Sequence, residues 1–213
     1  MCLISIKKYR RALKILLGLT ACLTVCFLLS PAAVSKADAS PGLNLTVGAG
    51  FDGKCKLGGL NPVVVSVESK ESGHSGLLKV KAGERTYSCR VELESGSRKD
   101  VRFTIPFFRA NDRIEVVFES RGQVVAEAAN TPEILPERTI FIGGVCDSPQ
   151  RLYHLKEMDT SELGGGKVEV VSLGRDFKYS LEELDNLNFI VIEDSRQVNL
   201  SERAAKLLQE WVK

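Results

Sequence analysis

From Leu43 to about Ala129 the chain alternates apolar and polar positions with a period of two. Leu43, Leu45 and Val47 form the first such run, followed by Val63, Val65 and Val67, then Leu78 and Val80. Further runs are Tyr87, Cys89, Val91 and Leu93; Val101, Phe103 and Ile105; Ile114, Val116 and Phe118; and Val124 with Ala126. Successive side chains of a strand point to opposite faces, so this pattern predicts half-buried antiparallel strands. Turn residues lie between the runs: Ser72-Gly73, Gly83-Glu84, Ser95-Gly96-Ser97, Asn111-Asp112 and Arg121-Gly122. Short strands at this spacing over residues 43–130 predict a β-sandwich of immunoglobulin-like type.

The pattern changes after residue 130. Pro132 and Pro136 lie in residues 131–138, and proline fixes φ and disfavours helix, so this stretch reads as a short stiff linker. Residues 139–213 alternate strand and helix signals. Thr139 to Gly143 is a short apolar strand. Ser148-Pro149 caps and opens a helix running to about Met158. Val168 to Leu173 is a second strand, Ser180-Leu181-Glu182-Glu183 a capping box, and Phe189 to Ile192 a continuous apolar strand. Ser201 caps a last helix carrying Ala204, Leu207, Leu208 and Trp211 at helical spacing. Apolar strands alternating with helices predict a parallel sheet covered on both faces. The expected fold class is therefore α+β with two modules, a sandwich followed by a partial three-strand parallel α/β module. The second is either a natural small domain or a larger one cut short, and truncation is the expectation.

Residues 1–39 follow another grammar. Lys7 to Lys14 is basic, Ile15 to Leu29 is apolar, and small residues lead to Ala37-Asp38-Ala39. That order predicts a secretory signal cleaved after Ala39. An uncleaved membrane anchor and a lipoprotein attached at Cys22 (from Leu19-Thr20-Ala21-Cys22) are the alternatives, although the apolar run is short for a span. Either way the body of the chain is expected outside the cytoplasm, held to the membrane by its N-terminal segment if that is uncleaved. The leader carries six basic residues and one acid, while the whole chain has 29 basic and 27 acidic residues. The remainder is thus slightly acidic and has no broad basic surface for nucleic acid, which excludes that partner class. Protein partners at the cell envelope are the expected ones.

Of six cysteines, Cys55, Cys89 and Cys146 lie beyond the leader. Cys55 and Cys89 fall in the same predicted module. They are a candidate disulfide in an oxidising compartment, the other reading being two buried thiols. No CxxC and no Cys/His cluster occurs, so a structural zinc site is not expected, nor is any cofactor.

Gly50-Phe51-Asp52-Gly53, then Lys56, Gly58 and Pro62 ahead of Val63, Val65 and Val67, resemble the opening of a family of uncharacterised bacterial envelope proteins. Leu200-Ser201 with Leu207 and Trp211-Val212 is similar to that family's second module. The resemblance implies a signal segment, a β-sandwich, and a domain like the class I glutamine amidotransferases. The partial module would then be flavodoxin- or amidotransferase-like, with further strands and membrane segments in longer members. It carries no activity.

Candidate chemistry is sparse. Cys146 follows a strand and precedes a helix, as a nucleophile would, but it sits after the first strand of its module and no Gly-x-Cys-x-Gly elbow surrounds it. The histidines are His74, in the other module, and His154, on the following helix. Gly143-Gly144 lies at a strand end where anions bind in open α/β sheets, with Asp147 and Asp194 nearby, yet no phosphate-loop motif is present. Tight-turn glycines are the plainer reading. Asp52 and Asp112, like those two, read as turn or cap residues. Phe51 and Phe107-Phe108 read as core or contact residues rather than a carbohydrate platform. Asn44-Leu45-Thr46 and Asn199-Leu200-Ser201 match the glycosylation pattern and have little meaning in a bacterial protein. No catalytic residue is assigned. The expected function is a non-enzymatic interaction module, the alternatives being a truncated amidotransferase-like enzyme or ligand-binding domain and a carbohydrate-binding module.

Overall fold

The alternating runs build two antiparallel sheets. A computed structural model describes residues 42–146, 149–174, 177–192 and 200–213. The signal-cleavage residue Ala39, together with Asp147, Asp194 and Asn199, lies outside the described residues. Strands β1 (Leu43–Ala49), β3 (Leu60–Ser69) and β6 (Arg98–Pro106) form a three-stranded sheet in the order β1-β3-β6. Strands β4 (His74–Ala82), β5 (Arg85–Leu93), β7 (Ile114–Ser120) and β8 (Gln123–Asn130) form a four-stranded sheet in the order β5-β4-β7-β8. Leu43, Leu45, Val63, Val65, Val67 and Ile105 from the first sheet meet Leu78, Val80, Val91, Val116 and Phe118 from the second in one core. This is the β-sandwich that the period-two pattern predicts.

One strand departs from its expected face. Val124 was expected inward beside Ala126, but it is exposed, whereas Ala126 is buried. A register irregularity between Phe118 and Glu119 explains this. Phe118 pairs with Ala126 and Glu119 with Val124, so Val125 is skipped and Val124 turns outward.

The segment expected as a linker contains β9 (Glu133–Leu135), which pairs in parallel with β2 (Lys54–Lys56). The two prolines flank this strand rather than interrupt it, so its own N–H groups remain available for pairing.

Beyond it, β10 (Ile140–Val145), β11 (Val168–Ser172) and β12 (Phe189–Ile192) form a parallel sheet in the order β11-β10-β12. One face packs Ile140, Ile142, Val168 and Val170 against Leu152 of a 3-10 helix, Pro149–Glu157. The other face packs Phe141, Val145 and Val171 against Leu184 of α1 (Leu181–Leu184) and against Ala204 and Leu208 of α2 (Glu202–Trp211). Two of the three expected capping residues act as such: Ser180 completes a capping box with Glu183, and Ser201 accepts from the Ala204 N–H, while the third, Ser148, lies outside the described residues.

The first expected strand is longer than its sequence signal. Gly143 and Gly144, expected in a turn, are inside β10. A Cβ at Gly143 would stand 2.7 Å from Leu173 Cδ1, and one at Gly144 would stand 2.5 Å from Leu152 Cδ1. The glycines let leucines from both faces reach the sheet, so packing explains them.

Candidate functional site

The densest polar chemistry lies where the parallel sheet meets the sandwich, and residues 39–213 make one compact unit. The junction starts from the β1–β2 turn. Gly50 adopts φ 67°, and a Cβ there would lie 2.0 Å from the Lys54 carbonyl oxygen, so this tight turn admits only glycine. The turn projects Phe51 out of the sandwich and into the core of the parallel module. Phe51 is fully buried, edge-on to Phe141 at 5.6 Å and tilted against Tyr179 at 4.6 Å. The next residue, Asp52, accepts the backbone N–H of Ser172 at 2.6 Å. The sandwich thus supplies both an apolar anchor and a hydrogen-bond acceptor to the second module.

Two buried carboxylates tie the other contacts. Glu183 on α1 is 0% exposed and accepts four hydrogen bonds. Arg102 of β6 donates from Nε at 3.2 Å and Nη2 at 2.7 Å, Thr104 donates from Oγ1 at 3.0 Å, and the Ser180 N–H donates at 2.9 Å. The Arg102 guanidinium also lies 5.1 Å from the centre of the Tyr179 ring. Burial, reinforced by the Asp52 carboxylate, pushes the Tyr179 phenol up to about 12.

Glu169 on β11 is 3% exposed and accepts from Lys54 at 2.5 Å, Lys167 at 2.6 Å and Lys156 at 3.2 Å. Burial raises its pKa, but the three lysine hydrogen bonds outweigh that and hold it down at about 2. Asn186 completes the seam by donating to the Leu60 carbonyl at 2.5 Å, and Lys56 donates to the Asn186 carbonyl at 3.2 Å. Gly59 leaves room for this contact, since a Cβ there would be 1.7 Å from Asn186 Oδ1.

These groups are consumed by one another. A carboxylate that already receives three or four donors, one of them a bidentate arginine, has its lone pairs committed and is poorly placed to take a substrate proton. Among the described residues no buried side-chain N or O atom lacks a partner, and no cluster of His, Cys, Asp or Glu could hold a metal ion. The arrangement fixes one module on the other.

The residues singled out from sequence are dispersed. Cys55 is buried in the sandwich core, and burial pushes its thiol up to about 12. Cys89 is half-buried on β5, and Cys146 is buried beside Ile140 and Ile142. No disulfide joins Cys55 and Cys89. His154 is exposed, with Nδ1 2.7 Å from the Arg151 carbonyl, and His74 pairs with Ser72 at 3.1 Å in the sandwich. Asp112 accepts from the N–H groups of Phe108 and Arg109, as a turn residue does. Phe51 and Phe107 are fully buried, while Phe108 is 58% exposed with the Arg85 guanidinium 4.8 Å from its ring centre. The three phenylalanines therefore form no shared platform.

Sequence reasoning missed Glu183 and Glu169 as junction residues. The first was visible only as a capping-box member. A charged residue at position 169, inside an otherwise apolar strand, was the available signal for the second.

A family model described as "Domain of unknown function (DUF8726)" matches residues 42–133, which span the sandwich and end at the first residue of β9. A solved structure of a CARDB domain from Pyrococcus furiosus, in complex with di-metal ions, is similar at 17% identity and TM-score 0.36, covering 44% of this chain and 94% of that one. A search of curated proteins gave no match.

Proposed function

We propose that this chain is an exported cell-envelope protein that works through protein contacts rather than catalysis. The observation that carries the reading is the junction. Its ionisable groups are spent on holding a sandwich and a parallel sheet in one fixed orientation, as a protein needs when it presents two surfaces to partners. The basic, apolar and small-residue order of residues 1–39 supports export. Among the described residues no helix is long and apolar enough to cross a membrane. In this reading the leader, if uncleaved, holds the chain to the membrane.

A second reading draws on the parallel sheet. Its β11-β10-β12 order with helices on one face and a 3-10 helix on the other agrees with the start of a doubly wound, amidotransferase-like domain. In that reading Cys146 is the nucleophile to consider, and its burial among aliphatic side chains is what speaks against it.

The test is made in cells with a C-terminal tag on the full chain. The reading expects the tag to be digested by protease added outside the cytoplasmic membrane. It also expects chemical cross-linking to give discrete adducts with other proteins on sandwich or sheet surfaces. A protected cytoplasmic pool contradicts export, and a chain that stays free of adducts contradicts the contact role.

A further inference from the structure

The outer face of the β1-β3-β6 sheet carries a cleft of about 460 Å³ where it meets the parallel module. Its floor is one cross-strand row: Gly48 of β1 lies opposite Val64 of β3, and Val64 opposite Arg102 of β6. Gly48 has no positive φ, and a Cβ there would meet nothing nearer than the Val64 carbonyl oxygen at 4.0 Å. Neither the backbone nor packing requires glycine at this place, unlike Gly50 two residues on. Gly48 leaves the floor bare, and a glycine inside a strand marks a place where a ligand can approach the backbone closely. Leu173 and Phe177, just beyond the carboxyl end of β11, line the cleft with apolar surface. That end of a parallel sheet is where ligands bind.

The charges around this cleft are sorted by sign. On the β6 side, Arg102 spends Nε and Nη2 on Glu183, while its Nη1 has no partner among the described residues and its side chain is 33% exposed. Lys178 belongs to the same side: the Ser66 hydroxyl first, then Arg98 and Lys178, hold the carboxyl of Asp100 on β6 below its usual range. Lys178 is exposed and, among the described residues, in no ion pair. Beyond the end of β1 stands Asp52, whose Oδ2 takes the Ser172 N–H and whose Oδ1 is left over. A larger hollow, about 1390 Å³, opens at one end of the sandwich, but there Arg90, Glu92, Lys99 and Glu119 mix both signs.

We propose that the junction cleft binds a short peptide with free termini, two or three residues long, its carboxylate at Arg102 and Lys178 and its ammonium at Asp52. Neighbouring strands lie about 4.8 Å apart, so β1 and β6 stand about 10 Å apart across β3, and an extended tripeptide spans about 10 Å. A single amino acid, at about 3.5 Å, is too short to reach both ends. The apolar floor at Val64 lies under the middle of such a peptide. The cleft is of the size usual for small ligands, roughly 300–1,000 Å³. The inference does not depend on export, because it concerns the folded body alone, and it uses only donors and acceptors that the junction leaves over.

The experiment is isothermal titration calorimetry on the full purified chain in detergent micelles. The probes are alanyl-leucyl-alanine, its N-acetyl form and its C-terminal amide. The free tripeptide is expected to bind saturably, and each capped form to bind more weakly by at least about tenfold. Gly48→Leu fills the floor and is expected to abolish binding while the circular dichroism stays that of the parent. Lys178→Glu is expected to weaken binding of the free tripeptide more than that of the amide, and it decides should Gly48→Leu fail to fold. The proposal is overturned by no saturable heat from the free tripeptide, or by capped forms that bind equally well. It is also overturned by a folded Gly48→Leu chain, or a Lys178→Glu chain, that binds as the parent does.

Discussion

The sandwich and the parallel sheet solve the problem of burial in different ways. The sandwich completes its core from its own strands and keeps its ion pairs outside, as with Lys79–Glu119 at 2.6 Å and Lys81–Glu115 at 3.8 Å, all partly exposed. The parallel module does not finish its core alone. It takes Phe51 and Leu135 from the sandwich side, and it buries Glu183 and Glu169 where arginine and lysines from both sides reach them. Exposed ion pairs contribute little to stability, whereas removing one partner of a buried pair leaves an uncompensated charge and is costly. The lesson is that the second module depends on the first, and the dependence is concentrated in a few residues.

That contrast can be broken most severely at Glu183. Glu183→Ala leaves Arg102 and Thr104 without their acceptor and removes the α1 cap, so unfolding free energy should drop by about 3–5 kcal/mol in urea titration. Phe51→Ala should cost a similar or slightly smaller amount, about 3–4 kcal/mol, although its Cα belongs to the sandwich turn. The loss should appear in the fluorescence of Trp211, the single tryptophan, which packs on the parallel-module core.

Acid sharpens the comparison further. Glu169 has its pKa depressed from 4.5 to about 2 in the folded chain. A depressed carboxylate contributes stability that is complete above its unfolded pKa and is lost as pH falls through the folded one. Stability should therefore decline between pH 4.5 and about 2. Glu169→Gln should flatten that part of the profile in thermal melts while lowering stability at neutral pH. The smallest effect is expected on the sandwich surface, where Lys79→Ala should change stability by no more than about 1 kcal/mol and less in high salt.

Much of the sandwich was legible because one face is buried and the period is two: Val63, Val65 and Val67 point inward as their spacing requires. The irregularity at Phe118/Glu119 was not legible, since a skipped residue leaves no mark in composition and reverses Val124. The parallel sheet was readable from its apolar runs. The role of Gly143 and Gly144 was not, because it depends on Leu173 and Leu152 arriving from later elements. The candidate site was the least legible part. The motif Ser180–Glu183 announced a helix cap, but its second partner, Arg102, stands 81 positions away and no local pattern pairs them. Phe51 likewise read as a core residue, and only the fold shows which core it serves.

The account's central claim is that the sandwich and the parallel sheet are one cooperative body, made so by Phe51, Glu183 and Glu169. The most direct measurement is urea unfolding of residues 39–213 followed by two signals at once: Trp211 fluorescence, which reports the parallel module, and far-ultraviolet circular dichroism, which is dominated by the sandwich strands. Coincident transitions with one midpoint are the predicted result. A Trp211 transition completed at lower urea, with the β signal still intact, would contradict it.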